Sequence, residues 1–349
     1  MTGEGLDGGP VLEVSDLNVA FPSEDGVVQA VRGVTFALDA GQVVGVVGES
    51  GSGKSVTSLA VMGLLPKNAR ISGSVRFRGR ELLGLSEKQL MSVRGSGIAM
   101  IFQDPMTSLN PVYTIGWQLV EAIQAHQKID DKAAWSKAVE LLSLVGIPNA
   151  ADRASSYPHE FSGGMRQRVV IAMAMANDPD VIVADEPTTA LDVTVQAQVL
   201  EALRTARART GASTVLITHD LGVVAGIADL VIVMYAGKAV EVGTVDDIFY
   251  EPRMPYTVGL LGSLPRLERR DQGRLRPIPG SPPSLLNMPS GCPFAPRCPM
   301  ARERCRTEEP ALRPVVGGGH QAACHFAEEL ETKREIFAAT SADPEAAAG

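Results

Sequence analysis

The stretch VVGVVGESGSGKSVTSLAVMGLL, residues 43–65, constrains this chain more than any other part of it. A strand-length apolar run leads directly into GESGSGKS, Gly48 to Ser55, which fits the pattern G-x-x-x-x-G-K-[ST], and a helix-length segment follows at once. Strand, glycine-rich loop and helix in immediate succession require an α/β arrangement, with the loop at the helix N-terminus. Glycines let backbone N–H groups curl around phosphate oxygens, and the helix N-terminus adds partial positive charge. Lys54 is expected to reach the β- and γ-phosphates and Ser55 to ligate Mg²⁺. Gly48, Ser50, Gly51, Ser52, Gly53 and Val56 complete the expected cradle. A chance Gly/Ser turn carrying a lysine has no reason to bring both flanks with it.

Two later runs have the same character. VIVADEP (181–187) and STVLITHD (213–220) are continuous apolar segments ending in charge, the pattern of buried parallel strands with functional C-terminal ends. Between them Val195, Val199 and Leu203 recur at i, i+4, i+8, one helical stripe forming a crossover. VLEVSDLNVAF (11–21) and GVTFAL (33–38) also read as strands. Residues from about 105 to 178 are helical in pattern and read as an insertion. The expected fold is therefore α/β, with a mainly parallel core sheet and a helical subdomain. Residues 1–10 read as a flexible leader, 11–265 as the main domain, 266–330 as a small irregular C-terminal module rich in Pro and Gly, and 331–349 as a disordered tail.

Asp185 and Glu186 end the first of those apolar strands, where solvated surface is not expected. Asp185 is placed to hold Mg²⁺ through water, and Glu186 to act as the base that orients an attacking water. The formal charge of −8 argues against a nucleic-acid surface. The N-terminus shows neither a basic region nor an apolar core, so no signal peptide is expected. Apolar runs such as LVIVMYAG (230–237) are strand-length, too short to cross a bilayer. The default compartment is the cytoplasm, and any membrane crossing falls to other subunits.

With these residues in place the chain resembles the ATP-binding subunit of an ABC transporter, a P-loop NTPase, over most of residues 11–330. FSGGMRQR (Phe161 to Arg168) is similar to the family's signature, Gln103 in MIFQDP to the Q-loop glutamine, Thr189 to Asp192 to the D-loop, and His219 to the switch histidine. Phe21 lies where the family places an aromatic ring against adenine. The resemblance implies ATP hydrolysis by two head-to-tail subunits, so that Ser162, Gly163 and Gly164 bind the nucleotide held by the partner's phosphate loop. Taken alone, those three residues read as an ordinary helix cap. The resemblance further implies catalytic roles for Glu186, His219 and Gln103, a Mg²⁺ contact for Gln103 and a nucleotide-site role for Asp192.

YPHEFSGGMRQR, RMPYTVGLLGSLPRL and the Pro-rich tail with cysteines resemble the peptide-importer branch, which serves dipeptide, oligopeptide and nickel uptake. Met165 in the signature resembles the first of that branch's two paired ATPases; Met254 departs from its usual histidine. The branch implies a homologous second ATPase, two transmembrane permeases and an extracytoplasmic binding protein, with work at the cytoplasmic face of the membrane. Residues 103–125 would dock the permease. Nickel or another small solute stands as the alternative cargo, and a soluble ABC-type ATPase acting on nucleic acid or ribosomes as a more distant one.

The four cysteines, Cys292, Cys298, Cys305 and Cys324, all lie in the last sixth of the chain, spaced C-x5-C-x6-C-x18-C. A reducing compartment disfavours disulfides, and clustering disfavours unrelated free thiols. Chemistry alone leaves a Cys₄ zinc site and a [4Fe–4S] cluster near parity. The branch resemblance implies the [4Fe–4S] cluster, pinning a module expected to be too poor in apolar residues to hold itself.

Overall fold

The computed structural model describes residues 9–189, 191–263, 278–315 and 319–332. Two sheets organise them. Strands β1 (Leu12–Ser23), β2 (Gly26–Leu38), β4 (Arg70–Phe77) and β5 (Arg80–Glu81) form an antiparallel sheet in the order β2-β1-β4-β5. The larger sheet contains β3 (Val43–Val47), β6 (Ile98–Ile101), β7 (Val181–Asp185), β8 (Ser213–Thr218), β9 (Leu230–Tyr235), β10 (Lys238–Thr244), β11 (Arg313–Pro314) and β12 (Gln321–Ala322). Its order is β11-β12-β10-β9-β3-β8-β7-β6.

Five neighbouring strands, β9, β3, β8, β7 and β6, pair in parallel, and β10, β12 and β11 continue antiparallel from β9. The expectation of a mainly parallel sheet thus holds at its centre. Residues 11–21 and 33–38, read as strands without an assigned sheet, belong to the separate antiparallel sheet.

Every residue of β3, β7 and β8 is buried. The period of two in a strand explains why the apolar runs are continuous. Val181, Val183, Val215 and Ile217 face a core shared with the antiparallel sheet and with helix α1 (Lys54–Val61). Ile182, Ala184 and Leu216 face a second core. That core is closed by helices α2 (Ile115–Gln124), α3 (Asp131–Leu144), α4 (Gly163–Ala174) and α5 (Val193–Thr210). Thr114, Asp130, Ser162 and Asp192 each accept a first-turn N–H of the helix they precede, a cap worth about 1 kcal/mol. Helix α1 stops short of the expected 65, because Gly63 takes a left-handed φ of 63°.

The C-terminal segment departs most from expectation. It is irregular, yet it does not stand apart. β12 pairs with β10 through Glu241 and Val242, and Phe294, 1% exposed, sits in a third core with Tyr235 and Tyr256. The Phe294 ring meets each tyrosine ring at 5.4 Å between centroids, arrangements that contribute about 0.5–1.5 kcal/mol per pair beyond burial. The segment therefore has a core, borrowed from the main sheet. The leader up to residue 8, residues 264–277 at the expected domain junction, and the tail from 333 lie outside the described residues.

Candidate active site

β3 delivers the chain to the phosphate loop, and the loop's shape follows from its glycines. Gly48 adopts φ 151°, and a Cβ there would stand 2.2 Å from the Met234 carbonyl oxygen; at Gly53 (φ 101°) it would stand 2.5 Å from that of Ala30. No side chain fits at either place. Gly51 faces open space. Helix α1 has no side-chain cap, and its first intrahelical bond runs from Thr57 N–H to Gly53 O (3.0 Å). The N–H groups of Lys54, Ser55 and Val56 precede that bond and are on offer to an anion. Val56's side chain packs into the core, leaving its backbone for this role.

Lys54 is 4% exposed, and its Nζ donates to the carbonyls of Gly48 (2.8 Å) and Glu49 (3.0 Å). Burial pushes its pKa down, opposed by the charges of Glu186, Asp185 and Glu49. Ser55 Oγ donates to Asp185 Oδ1 at 3.0 Å, so two of the three expected Mg²⁺ residues are in contact, while the third, Gln103, bonds Glu186. Asp185 is 5% exposed. Its carboxyl is raised above the usual range by desolvation; the Ser55 hydrogen bond opposes this and the neighbouring Glu186 charge adds to it. An oxygen pair so desolvated, beside an anion-binding loop, is suited to a hard divalent cation.

Glu186 follows with φ 46°, a left-handed conformation that costs a non-glycine residue about 1–2 kcal/mol. Its N–H donates to Ile217 O (2.8 Å), which holds the turn. Three groups meet its Oε2: Gln103 Nε2 at 3.2 Å, Thr189 Oγ1 at 2.7 Å and His219 Nδ1 at 3.3 Å. Three of the sequence motifs thus converge on one carboxylate oxygen. Thr189 was legible only as part of a motif; nothing in the sequence singled out its hydroxyl.

The other expected residues are placed less directly. Phe21, near the end of β1, is half-buried against the sheet core. Ser50 is exposed and Ser52 buried, both within the loop. Ser162 caps α4, with Met165 N–H donating to its Oγ at 3.3 Å. A Cβ on Gly164 would stand 2.2 Å from Val195 Cγ1, so this glycine lets α4 approach α5. At Gly163 the nearest atom is 3.8 Å away, leaving room for a ligand. Asp192 accepts from Val195 N–H (3.0 Å) and caps α5.

All four cysteines are free thiols and line one cavity with Phe294, Met300 and Phe326. Burial raises the pKa of Cys292, pushes Cys298 up to about 12 and Cys324 to about 11. Among the described residues no three His, Cys, Asp or Glu side chains are arranged to hold a single metal ion. His325 bonds the Glu308 carbonyl (3.0 Å).

Phosphate loop, buried strand-end carboxylates and inserted helical layer together define a P-loop nucleoside triphosphatase of the ATP-binding-cassette class. Comparison with known proteins narrows this. The "ABC transporter" family model matches residues 31–189, and the "Oligopeptide/dipeptide transporter, C-terminal region" model matches 240–305. The chain is 56% identical over 326 residues to the oligopeptide transport ATP-binding protein OppD of Mycobacterium tuberculosis, covering 93% of this chain and 53% of that one. It is 51% identical over 335 residues to the dipeptide transport ATP-binding protein DppD of Bacillus subtilis, covering 95% and 98%. The chain thus spans about half the length of the mycobacterial relative and nearly all of the Bacillus one. Among solved structures it resembles CbiO1 of Clostridium perfringens, part of an ABC transporter complex (TM-score 0.59, 27% identity, 70% of this chain and 92% of that one). It also resembles a dimeric bacterial ABC transporter cassette (TM-score 0.60, 25% identity, 67% and 98%). The chain belongs to the ATP-binding proteins of the oligopeptide/dipeptide ABC transporter family.

Proposed function

We propose that this chain hydrolyses ATP to power peptide import through a membrane transporter. The observation that carries this reading is the convergence of Gln103, Thr189 and His219 on Glu186, beside the buried Ser55–Asp185 pair and the phosphate loop. In this reading the Lys54 ammonium and the free N–H groups of Lys54, Ser55 and Val56 bind the β- and γ-phosphates, and Phe21 lies against the adenine. Ser55 and Asp185, with Gln103, would hold Mg²⁺. The ion supplies charge neutralisation on the phosphates. Glu186 takes a proton from the attacking water, and Gln103 and Thr189 fix its carboxylate by donating to it. His219 faces the γ-phosphate. The open space at Gly163, next to the Ser162 cap and with Gly164 drawing α4 close, suits the partner subunit's nucleotide, and Asp192 holds the neighbouring turn.

The partners follow the family: a homologous second ATPase, two permeases and an extracytoplasmic binding protein, with this chain peripheral on the cytoplasmic face. Among the described residues no helix is long and apolar enough to cross a membrane. Residues 103–125 are assigned to permease docking, a role supported by exposed Met106, Val112, Tyr113 and Trp117, the last two rings stacked at 4.1 Å. Cells lacking this chain are expected to lose ATP-dependent uptake of a radiolabelled tripeptide and to regain it when the chain is restored. Undiminished uptake in its absence would overturn the cargo assignment.

We further propose a [4Fe–4S] cluster held by Cys292, Cys298, Cys305 and Cys324 within the 266–330 module, a reading supported by four free thiols lining one cavity. Burial raises the pKa of Cys292, Cys298 and Cys324, so metal binding at these three thiols must displace their protons to solvent. Protein purified without oxygen is expected to be brown and to contain acid-labile sulfide, both lost in Cys298→Ser. Colourless protein carrying one zinc per chain would replace the cluster with a Cys₄ zinc site.

A further inference from the structure

We infer that Arg297, set between Cys292 and Cys298, is a positioning residue through which the cysteine-bearing segment holds the phosphate loop in its nucleotide-binding shape. The link is made at Glu49, the second residue of the loop. All of Glu49's polar groups are engaged. Its N–H donates to Tyr256 Oη (2.7 Å), its carbonyl accepts from Lys54 Nζ (3.0 Å), and its carboxylate accepts Arg297 Nη1 (2.6 Å) and Nη2 (2.9 Å). This is a two-pronged guanidinium–carboxylate pair, the geometry that fixes orientation as well as distance.

Arg297 is itself immobilised. Its side chain is 5% exposed. Nε donates to Pro279 O (2.9 Å), Nη1 also reaches Tyr235 Oη (3.3 Å), and the guanidinium lies 5.9 Å from the centroids of both Tyr235 and Phe294. Those rings belong to the core that seats the C-terminal segment on the sheet. The loop is thus braced from 248 residues away by a rigid partner.

Two consequences follow for a triphosphate. The brace restrains the backbone that bears the phosphate-binding N–H groups, so less ordering is required on binding. Arg297 also neutralises a carboxylate that otherwise stands unpaired next to an anion site. Neither effect touches Gln103, Thr189, Glu186 or His219. The brace therefore acts on nucleotide affinity and not on the chemical step.

This inference rests on the loop being the ATP site, and the test separates the two. Affinity for a fluorescent ATP analogue is measured on the purified full chain, and KM for ATP and kcat on the assembled transporter. Arg297→Gln is expected to weaken affinity and raise KM about tenfold, the cost of a lost charge-assisted contact, with kcat within about twofold of wild type. Arg297→Lys keeps the charge without the fork and is expected to recover part of the affinity. Glu49→Gln, which removes the charge at a half-buried position, supplies the second arm. The Arg297→Gln/Glu49→Gln double variant is expected to lose less than the sum of the single losses. Wild-type affinity in Arg297→Gln, a fall in kcat without a rise in KM, or fully additive losses would each overturn the inference. A wild-type chain that binds no ATP analogue would instead overturn the assignment of the loop.

Discussion

Replacing Glu186 by glutamine is expected to leave ATP affinity within about twofold of wild type and to lower steady-state phosphate release by at least about a hundredfold, the range that a general base contributes. The side chains are isosteric, and the turn depends on Glu186 φ 46° and its N–H bond to Ile217 O, which the substitution keeps. Gln103 and Thr189 both donate to Oε2, and an amide oxygen in the same place accepts them as well. What the amide lacks is a lone pair basic enough to take a proton from water. The phosphate-binding groups, Lys54 and the N–H groups at the start of α1, are not altered. The measurement pairs nucleotide affinity with phosphate release; hydrolysis at the wild-type rate would remove Glu186 from its assigned role. A parallel fall in affinity would mean that the turn itself had collapsed.

The sequence was legible wherever function is written in contiguous residues. The loop, the strand ending in Asp185 and Glu186, and the crossover helix were read because a strand buried on both faces leaves a continuous apolar run. Val181 and Val183 serve one core while Ile182 and Ala184 serve another. Long-range pairing left no such trace. Nothing local to Leu12–Ser23 distinguishes a strand of the antiparallel sheet from one of the main sheet. Nothing in a Pro- and Gly-rich tail announces that Gln321 and Ala322 will extend β10. The contact of Glu49 with Arg297 was illegible for the same reason: position two of the loop pattern accepts any residue, and its partner lies in another module. Ser162 and Gly164 show a further limit. Their signature reading implied a nucleotide contact, while the structure gives each an internal task as well, a helix cap and a close helix approach.

Lys54→Met is the other large effect, because Lys54 is a buried cation beside the phosphate-binding N–H groups. Its ammonium is buried, and desolvation is the largest influence on it, pulling its pKa below the usual lysine value despite the surrounding carboxylates. The sign of the linkage follows directly. Between the lowered pKa and the ordinary one, the unfolded chain holds a proton that the folded chain has released. Stability therefore rises with pH across that window, and below the lowered pKa the folded protein carries the penalty in full. Methionine keeps the unbranched shape, removes the charge and gives up only the bonds to the Gly48 and Glu49 carbonyls and a long contact to Ser52. The nucleotide-free variant is expected to melt within a few degrees of wild type, about the effect of 1 kcal/mol, and to lose the alkaline rise in stability. With Mg²⁺-ATP at a hundred times its Kd, wild type gains about 2.7 kcal/mol, and the variant is expected to gain nothing measurable. Thermal melts with and without nucleotide, repeated across alkaline pH, read both effects. A variant that still gains stability from ATP would show that the triphosphate does not depend on Lys54. A variant that unfolds without nucleotide would show that the lysine is part of the fold and not a cation stored for its ligand.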